Sequence, residues 1–467
     1  RQLQEVLTDF WYNHFNVFAQ KEAAQWFVTS YERDVIRPRA LGKFRDLLVA
    51  AAQSPAMMFY LDNWLSSSPD SRQPRPAGPV RPQNRQPGTA PGAGARPPDE
   101  VMPAPGADQN AGMMARKEGE QNLQPASRSP QSATPNPQPP PRPPARKPGI
   151  NENYARELME LHTLGADGGY TQKDVQEVAR CFTGWTIDRP FQGGGFVYRP
   201  WMHDDREKTV LGVTIPAGGG FNDGLRVIEI LAKHPSTARF VSKKLCQRFV
   251  SDDPPAQLVE RVSQVFLQTD GDIREVIRAI LMSAEFNSPT AFRAKIKSPL
   301  ELAASAIRAI DGDTNGAPAL HEWIRRMGEP LYLFAFPTGY GEDSAKWVNT
   351  GVFFNRINYA VALANNQING TSYEPLRLVA NETASNPDTL TGQLSALIVH
   401  TELSPQSLGA VRKGLNAPAP EAAALAHAAN SDRPPQRVQA GAEATPERRR
   451  IAQVVGLLMG TAEFQRR

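Results

Sequence analysis

Residues 151–165 read NENYARELMELHTLG, and this stretch carries a helical apolar stripe through an unusually polar run. Tyr154, Leu158 and Leu161 recur at the three- and four-residue spacing of one helix face. Gly165 then interrupts the pattern, as glycine does at helix ends. The stretch therefore predicts an amphipathic helix whose apolar side packs on a core.

The polar side of this predicted helix admits two interpretations. Glu152, Arg156 and Glu160 follow at i, i+4 and i+8, a spacing that allows a ladder of ion pairs on one face. Buried charged groups are tolerated only when they are paired, so a structural ladder is one reading and a functional polar cluster is the other. His162 lies about 200° round the helix from Glu160, by the 3.6-residue helical turn, so the helix does not form a metal site by itself.

Similar helical periodicity recurs on both sides of a long biased segment. Residues 69–148 hold 21 of the 42 prolines, and no aromatic residue lies between Trp64 and Tyr154. Such a segment buries too little apolar surface to offset the entropy of ordering, so we predict a disordered insert over 67–149. It contains 11 Lys and Arg against 6 Asp and Glu, a net +5 in a chain of +4. The basicity therefore belongs to this segment, and we expect no specific nucleic-acid binding.

The fold class that these patterns predict is mainly α: a multi-helix domain with a small β-hairpin insert and the long Pro-rich insert. Glycine-rich turns between short β-branched and aromatic runs mark the strand-like part. The predicted organisation is an N-terminal helical part at 1–66, the insert at 67–149, a main helical domain at 150–412 with strands at 184–215, an Ala/Pro-rich loop at 413–445 and a C-terminal helix at 446–467.

The ends of the chain and its cysteines bear on compartment. Residues 1–7 already read as the middle of a helix, so we expect the true N-terminus to be missing, and the absence of a visible signal peptide says little. No apolar run approaches the 18 or more residues of a transmembrane helix. Cys181 and Cys246 lie in apolar helical runs and are expected to be buried thiols.

Two loops resemble calcium-binding sequences. Residues 311–322 place acids at positions 1 and 3, Asn at 5, Gly at 6 and Glu at 12 of the twelve-residue pattern. The metal candidates from this loop are Asp311, Asp313, Asn315 and Glu322, and calcium or another divalent metal is the cofactor considered. Pro318 stands where a hydrophobic residue belongs, so a polar interhelix loop is the alternative. Residues 167–174 match only the second half of the pattern and are better explained by Thr171 capping a helix with Asp174 at its third position.

His203 and Asp204, followed by Lys208, lie in the strand-like region. An adjacent His and Asp can bind a metal or act as a base with its orienting carboxylate. A metal-dependent hydrolase would need these residues to converge in space on the 151–165 helix. Its catalytic candidates are Glu157, His162, His203 and Asp204, and its binding candidates are Asn153, Arg156, Glu160 and Lys208.

Several long stretches together resemble the bacterial domain-of-unknown-function family numbered 1800. They are residues 9–15, residues 151–158 continuing to residues 169–171, residues 182–185, His203-Asp204 with Lys208, residues 234–240 and residues 327–331. The resemblance spans nearly the whole chain outside the insert. Gly339-Tyr340-Gly341 departs from it, because family members often carry a Trp there.

The resemblance implies a bacterial, mostly helical and often exported protein, with no established catalytic residues or substrate. It also implies a partner, since genes of this family often neighbour those of a second family of unknown function, numbered 1501, which resembles the alkaline phosphatase and sulfatase group. We therefore expect an accessory or binding protein at the cell envelope, periplasmic or secreted. The metal-dependent hydrolase is the alternative.

Overall fold

Amphipathic stretches of this sequence form helices that bury their apolar faces against one another. The computed structural model describes residues 1–71, 149–379, 386–416 and 445–467. Most of the predicted disordered insert and most of the predicted Ala/Pro-rich loop lie outside these residues. The helices are α1 Gln2–His14, α2 Val28–Ser30, α3 Phe44–Ala52, α4 Pro55–Tyr60, α5 Glu152–Met159, α6 Gln172–Cys181, α7 Phe221–Ala232, α8 Pro235–Phe249, α9 Ala256–Gln268, α10 Ile273–Leu281, α11 Pro299–Ala309, α12 Pro318–Arg326, α13 Thr350–Ala364, α14 Pro387–Ile398, α15 Pro405–Asn416, α16 Pro446–Met459 and α17 Ala462–Gln465.

The fold is mainly α, as predicted, and the described residues belong to one unit with two hydrophobic clusters. The first core joins residues 7–61 to residues 154–280, and α8 packs there on α9 and α10. The second core is formed by residues 302–464, where α13 and α14 pack on α16. Among the described residues, no helix has the length and apolar character needed to cross a membrane.

Short antiparallel strand pairs confirm the prediction for 184–215. β1 (Trp185–Ile187) pairs with β2 (Phe196–Tyr198), and β3 (Lys208–Val210) pairs with β4 (Val213–Ile215). A third pair, β5 (Asp313–Thr314) with β6 (Thr371–Ser372), was not predicted. Strands this short are stable only through what they pack against. Here the fully buried Trp185 anchors the first hairpin to the core.

Helix ends show where local sequence was sufficient and where it was not. Thr171 and Asp174 form the predicted capping box of α6. At the start of α8, the side chain of His234 accepts the Ser236 N–H and caps the helix. α15 continues through Asn416, into the region predicted as a loop. The C-terminal helix is interrupted at Gly460 and resumes as α17.

The 151–165 stretch begins as an α-helix and departs from α geometry at its middle. Asn151 caps α5 by accepting the Tyr154 N–H at 3.1 Å, as expected for an Asn before a helix. From Glu160 to Leu164 the chain continues as a π-helix, and the Thr163 hydroxyl donates to the carbonyl of Leu158 at 2.7 Å. Such π segments are frequent at functional sites. The wider turn carries His162 into the first core, where it is buried.

Candidate functional site

The four predicted catalytic residues lie in two separate neighbourhoods. The His162 ring packs against Phe15, with ring centroids 5.1 Å apart, and against His14. His203 instead contacts Asp223 and the β1–β2 hairpin. Within the part of the chain that the structure describes, no group of three or more His, Cys, Asp or Glu side chains lies where it could hold one metal ion. The convergence that a metal-dependent hydrolase would require is therefore not formed.

The His203 ring is held by protein acceptors on both sides. Its Nδ1 lies 2.8 Å from the carbonyl oxygen of Thr183, and its Nε2 lies 3.1 Å from Asp223 Oδ2. Nδ1 also lies 3.3 Å from the Thr183 hydroxyl, so both ring nitrogens are engaged by protein oxygens. Lys208 Nζ lies 2.6 Å from the same Asp223 oxygen and is fully buried. His203, Asp223 and Lys208 thus form an internal network rather than an open ligand sphere.

Asp204 is held by two arginines. Arg180 binds both of its carboxylate oxygens, at 2.9 and 3.2 Å, and Arg206 binds them at 3.2 and 3.0 Å. Burial by itself raises the pKa of Asp204, but hydrogen bonds from Arg180 and Arg206 outweigh it and hold the pKa well below its usual range. A carboxylate so strongly stabilised as an anion is a poor general base. It fixes the turn that carries His203.

The predicted ion-pair ladder along the 151–165 helix was wrong. Arg156 donates to the side chain of Gln172 at 2.7 Å, and Gln172 donates in turn to Glu152 at 2.6 Å. Glu160 accepts from the Tyr170 hydroxyl at 3.1 Å. The reason is tertiary: α6 packs against α5 and places a neutral amide between the two charged groups.

Two further residues of this helix differ in their access to solvent. Asn153 is exposed, and Glu157 is partly buried. Burial, followed by the charge of Glu160, raises the pKa of Glu157, while Arg156 acts in the opposite direction. These residues keep polar groups at the rim of the helix, away from the His203 network.

The predicted calcium loop is not assembled in the structure. Asp313 lies in β5, and the Asn315 amide oxygen accepts the Ala317 N–H at 3.0 Å. Glu322 points instead to Arg325, at 2.7 and 2.6 Å, and these hydrogen bonds lower its pKa to about 2. Pro318 begins α12 and places Glu322 in the helix beside its arginine partners. Asp311, with a positive φ of 49°, turns the chain out of α11.

A charged cluster that the sequence did not reveal lies between the two cores. We call it the inter-core cluster, and it consists of Asp9, Arg248, Glu301, Glu329, Glu342 and Arg467. Arg248, on α8 of the first core, binds Asp9 at 2.8 Å and Glu301 of the second core at 3.1 Å. Arg467 binds Glu301 at 2.8 Å and donates to the Arg248 carbonyl oxygen at 2.7 Å. Arg248 therefore bridges the two cores.

Carboxylates of the inter-core cluster carry shifted pKa values. Glu329 is buried, and burial together with the charge of Asp9 raises its pKa to about 8. Burial also raises the pKa of Asp9, although Arg248 acts to lower it. Asp9 nevertheless keeps 33% of its side chain exposed, so water reaches one end of the cluster. Carboxyl groups that have shifted pKa values and that water can reach are typical of functional sites and also of structural ion-pair networks.

A loop from the second core closes over α1 beside this cluster. Asn13 donates to the Tyr340 carbonyl at 2.8 Å and accepts the Tyr340 N–H at 2.6 Å. Asn16 donates to the carbonyls of Phe334 and Phe336 at 3.0 and 2.8 Å. Gly339 makes this approach possible, because a Cβ there would lie 2.1 Å from the Asn13 carbonyl oxygen. The glycine beside Tyr340, in the segment that departs from the family pattern, therefore has a steric role.

One sequence signal could have pointed to the inter-core cluster. Lys244 and Arg248 stand four residues apart within the apolar run of α8, and so share one helix face. Asp9 and Glu329 lie inside stretches that carry the family resemblance. Nothing local connects them, since Arg248 and Asp9 are 239 residues apart.

Comparison with known proteins agrees with the resemblance. No curated protein and no solved structure matches the chain. One family model matches from residue 1 to residue 466, and it describes a protein of unknown function (DUF1800). Because the match covers nearly the full length, this chain belongs to the DUF1800 family.

Proposed function

We propose that this protein is an exported accessory or binding protein that acts with a partner protein at the cell envelope. The observation that carries the binding role is an exposed apolar surface at the start of α13. Val348, Phe353 and Phe354 leave 43%, 42% and 62% of their surface open within seven residues. Single exposed apolar residues are normal, but a local group of them is typical of interaction sites.

The contacts that three of the predicted site residues make inside the protein also support a binding role. His203, Asp204 and Lys208 are engaged by protein groups, which gives them a structural use that does not depend on substrate. Export and the envelope location rest on the family resemblance. So does the choice of partner, a protein of the family numbered 1501.

A direct binding measurement tests this proposal. The full chain would be immobilised and exposed to the purified family-1501 protein encoded beside it. Full burial of one exposed Phe side chain is worth about 1.5–3 kcal/mol, and Phe353 and Phe354, exposed 42% and 62%, together offer about one such side chain, so their loss should cost roughly 10- to 100-fold in Kd. We expect the double variant Phe353→Ser and Phe354→Ser to lose about that much affinity.

A matched control distinguishes a specific surface from general stickiness. Phe292 is 63% exposed and lies between α10 and α11, so Phe292→Ser removes exposed apolar surface at another place, as much as Phe354→Ser removes by itself. We expect it to bind as the parent does. Absence of binding by the parent chain, or equal loss in both variants, would contradict the proposal.

A further inference from the structure

Two nitrogen-bearing side chains and one backbone carbonyl lie in series where α1, α8 and the π-helical segment meet. Lys244 Nζ lies 3.1 Å from His14 Nδ1, and His14 Nε2 lies 3.1 Å from the carbonyl oxygen of His162. A carbonyl only accepts, so His14 Nε2 carries the ring hydrogen and Nδ1 presents its lone pair to Lys244. An amine, a histidine that accepts from it and a third group that orients the histidine is the arrangement that nucleophilic sites use.

The series leaves polar positions unfilled. His162 Nε2 is buried and has no hydrogen-bond partner among the described residues, although the residue is only 3% exposed. Buried polar atoms nearly always have a partner, so this ring nitrogen is a candidate contact for a ligand. Lys244 makes one hydrogen bond within the described chain, to His14, while an ammonium has three donors. The residue is partly exposed.

Apolar rings line the same place. Lys244 Nζ lies 5.8 Å from the centroid of the Phe240 ring, and the His162 ring lies 5.1 Å from that of Phe15. Burial therefore lowers the pKa of Lys244, and the charge of Glu342 opposes this only in part. Burial, followed by the charge of Lys244, lowers the pKa of His162 to about 3 and that of His14 well below its usual range. Both rings are neutral near pH 7, and the lysine is the group that exchanges a proton with solvent.

We propose that Lys244 is a nucleophilic amine that forms an imine with a small aldehyde or ketone. After the ammonium releases one proton to water, the amine nitrogen bonds to the carbonyl carbon and the C=O electron pair moves to oxygen. The two remaining amine protons leave with that oxygen as one water molecule, and a C=N bond forms. No oxidant or reductant takes part. His14 is a positioning residue that holds the amine.

Reductive trapping tests this proposal on the full chain. The protein is incubated with glyoxylate or propanal and sodium cyanoborohydride at pH 7.5, and adduct formation at each lysine is measured by peptide mass spectrometry. Lys243 is the matched control, since it is exposed and adjacent on the same helix. An ordinary lysine, with a pKa near 10.4, is neutral in only about one molecule in a thousand at this pH. We expect Lys244 to be modified faster than Lys243 at this pH, since the lowered pKa of Lys244 leaves a larger fraction of its amine neutral.

Dependence on pH and on His14 separates a reactive site from a merely accessible lysine. The ratio of Lys244 to Lys243 modification should fall toward 1 as the pH approaches that ordinary lysine pKa of about 10.4, because both amines become neutral. His14→Gln keeps an acceptor for the amine but removes the imidazole, so the pH midpoint of Lys244 modification should shift. Modification of Lys244 at or below the rate of Lys243 at pH 7.5 in the parent protein overturns the proposal, whether or not the variant folds.

Discussion

Replacing Arg248 by Met removes a buried cation that contacts both cores, and the cost in free energy of unfolding can be worked from its neighbours. Arg248 is 8% exposed and binds Asp9 at 2.8 Å and Glu301 at 3.1 Å. Removing one partner of a buried ion pair costs about 3–5 kcal/mol, because a charge is left without compensation. Glu301 keeps Arg467 at 2.8 Å, and Asp9 keeps a third of its surface in water. We therefore expect the lower end of this range, about 3 kcal/mol.

Urea unfolding followed by tryptophan fluorescence measures this loss in the free energy of unfolding at pH 7.5 and at pH 5. Without the guanidinium, the facing carboxylates have pKa values above those of the unfolded chain, so their cost is largest at high pH. It shrinks as the pH falls and they become protonated. Arg261→Met is the control, because Arg261 is 56% exposed and its pair with Glu285 should be worth about 0–1 kcal/mol. A loss at pH 7.5 no greater than the control's, or one that grows toward pH 5, would refute the reasoning.

Other substitutions test the remaining features of the fold. Glu329, whose pKa burial raises to about 8, stabilises the fold below pH 4.5 and progressively less as the pH rises through 8. In urea titrations, the free energy of unfolding of Glu329→Gln should therefore exceed that of the parent by about 1–3 kcal/mol at pH 9. At pH 4.5 the two proteins should be about equally stable. Gly339→Ala should lower Tm by several degrees, since it places a methyl group 2.1 Å from the Asn13 carbonyl oxygen at a φ of +66°. Asp204→Asn should lower the free energy of unfolding by about 2–4 kcal/mol at pH 7, because Arg180 loses its bidentate partner. The difference in this free energy between parent and variant should narrow in acid, as the parent carboxylate becomes protonated. Urea unfolding at several pH values measures it.

Two predictions that depended on neighbouring residues are confirmed, the capping box of α6 and the strand pairs at 184–215. The capping box of Thr171 and Asp174 needs residues three apart, and both hairpins between 184 and 215 join strands separated by short glycine-containing turns. In such cases the chain itself keeps the interacting groups close, so residue type and spacing carry most of the information.

Predictions about the polar residues depended on distant partners. A base or ligand role for His203 was one interpretation of its sequence, and in the structure its ring contacts Asp223, on α7, which sequence reasoning did not consider. A calcium ligand was one interpretation of Glu322, beside a polar interhelix loop, and in the structure its helix brings it to Arg325. The same side chain is a ligand, a base or a structural ion depending on which residues the fold places beside it. Residue type does not specify those neighbours.

The amino-acid sequence by itself determined the helical class, the position of the strand pairs and the family, because these follow from periodicity, turn chemistry and long contiguous stretches. Tertiary structure alone decided the contacts of the polar groups in the 151–165 stretch. Gln172 lies between Glu152 and Arg156. A π-helical turn buries His162 near Lys244 and His14. It also decided that Arg248 joins the two cores. Pairing energies depend on distance and on exclusion from water, and both are set only when remote segments pack.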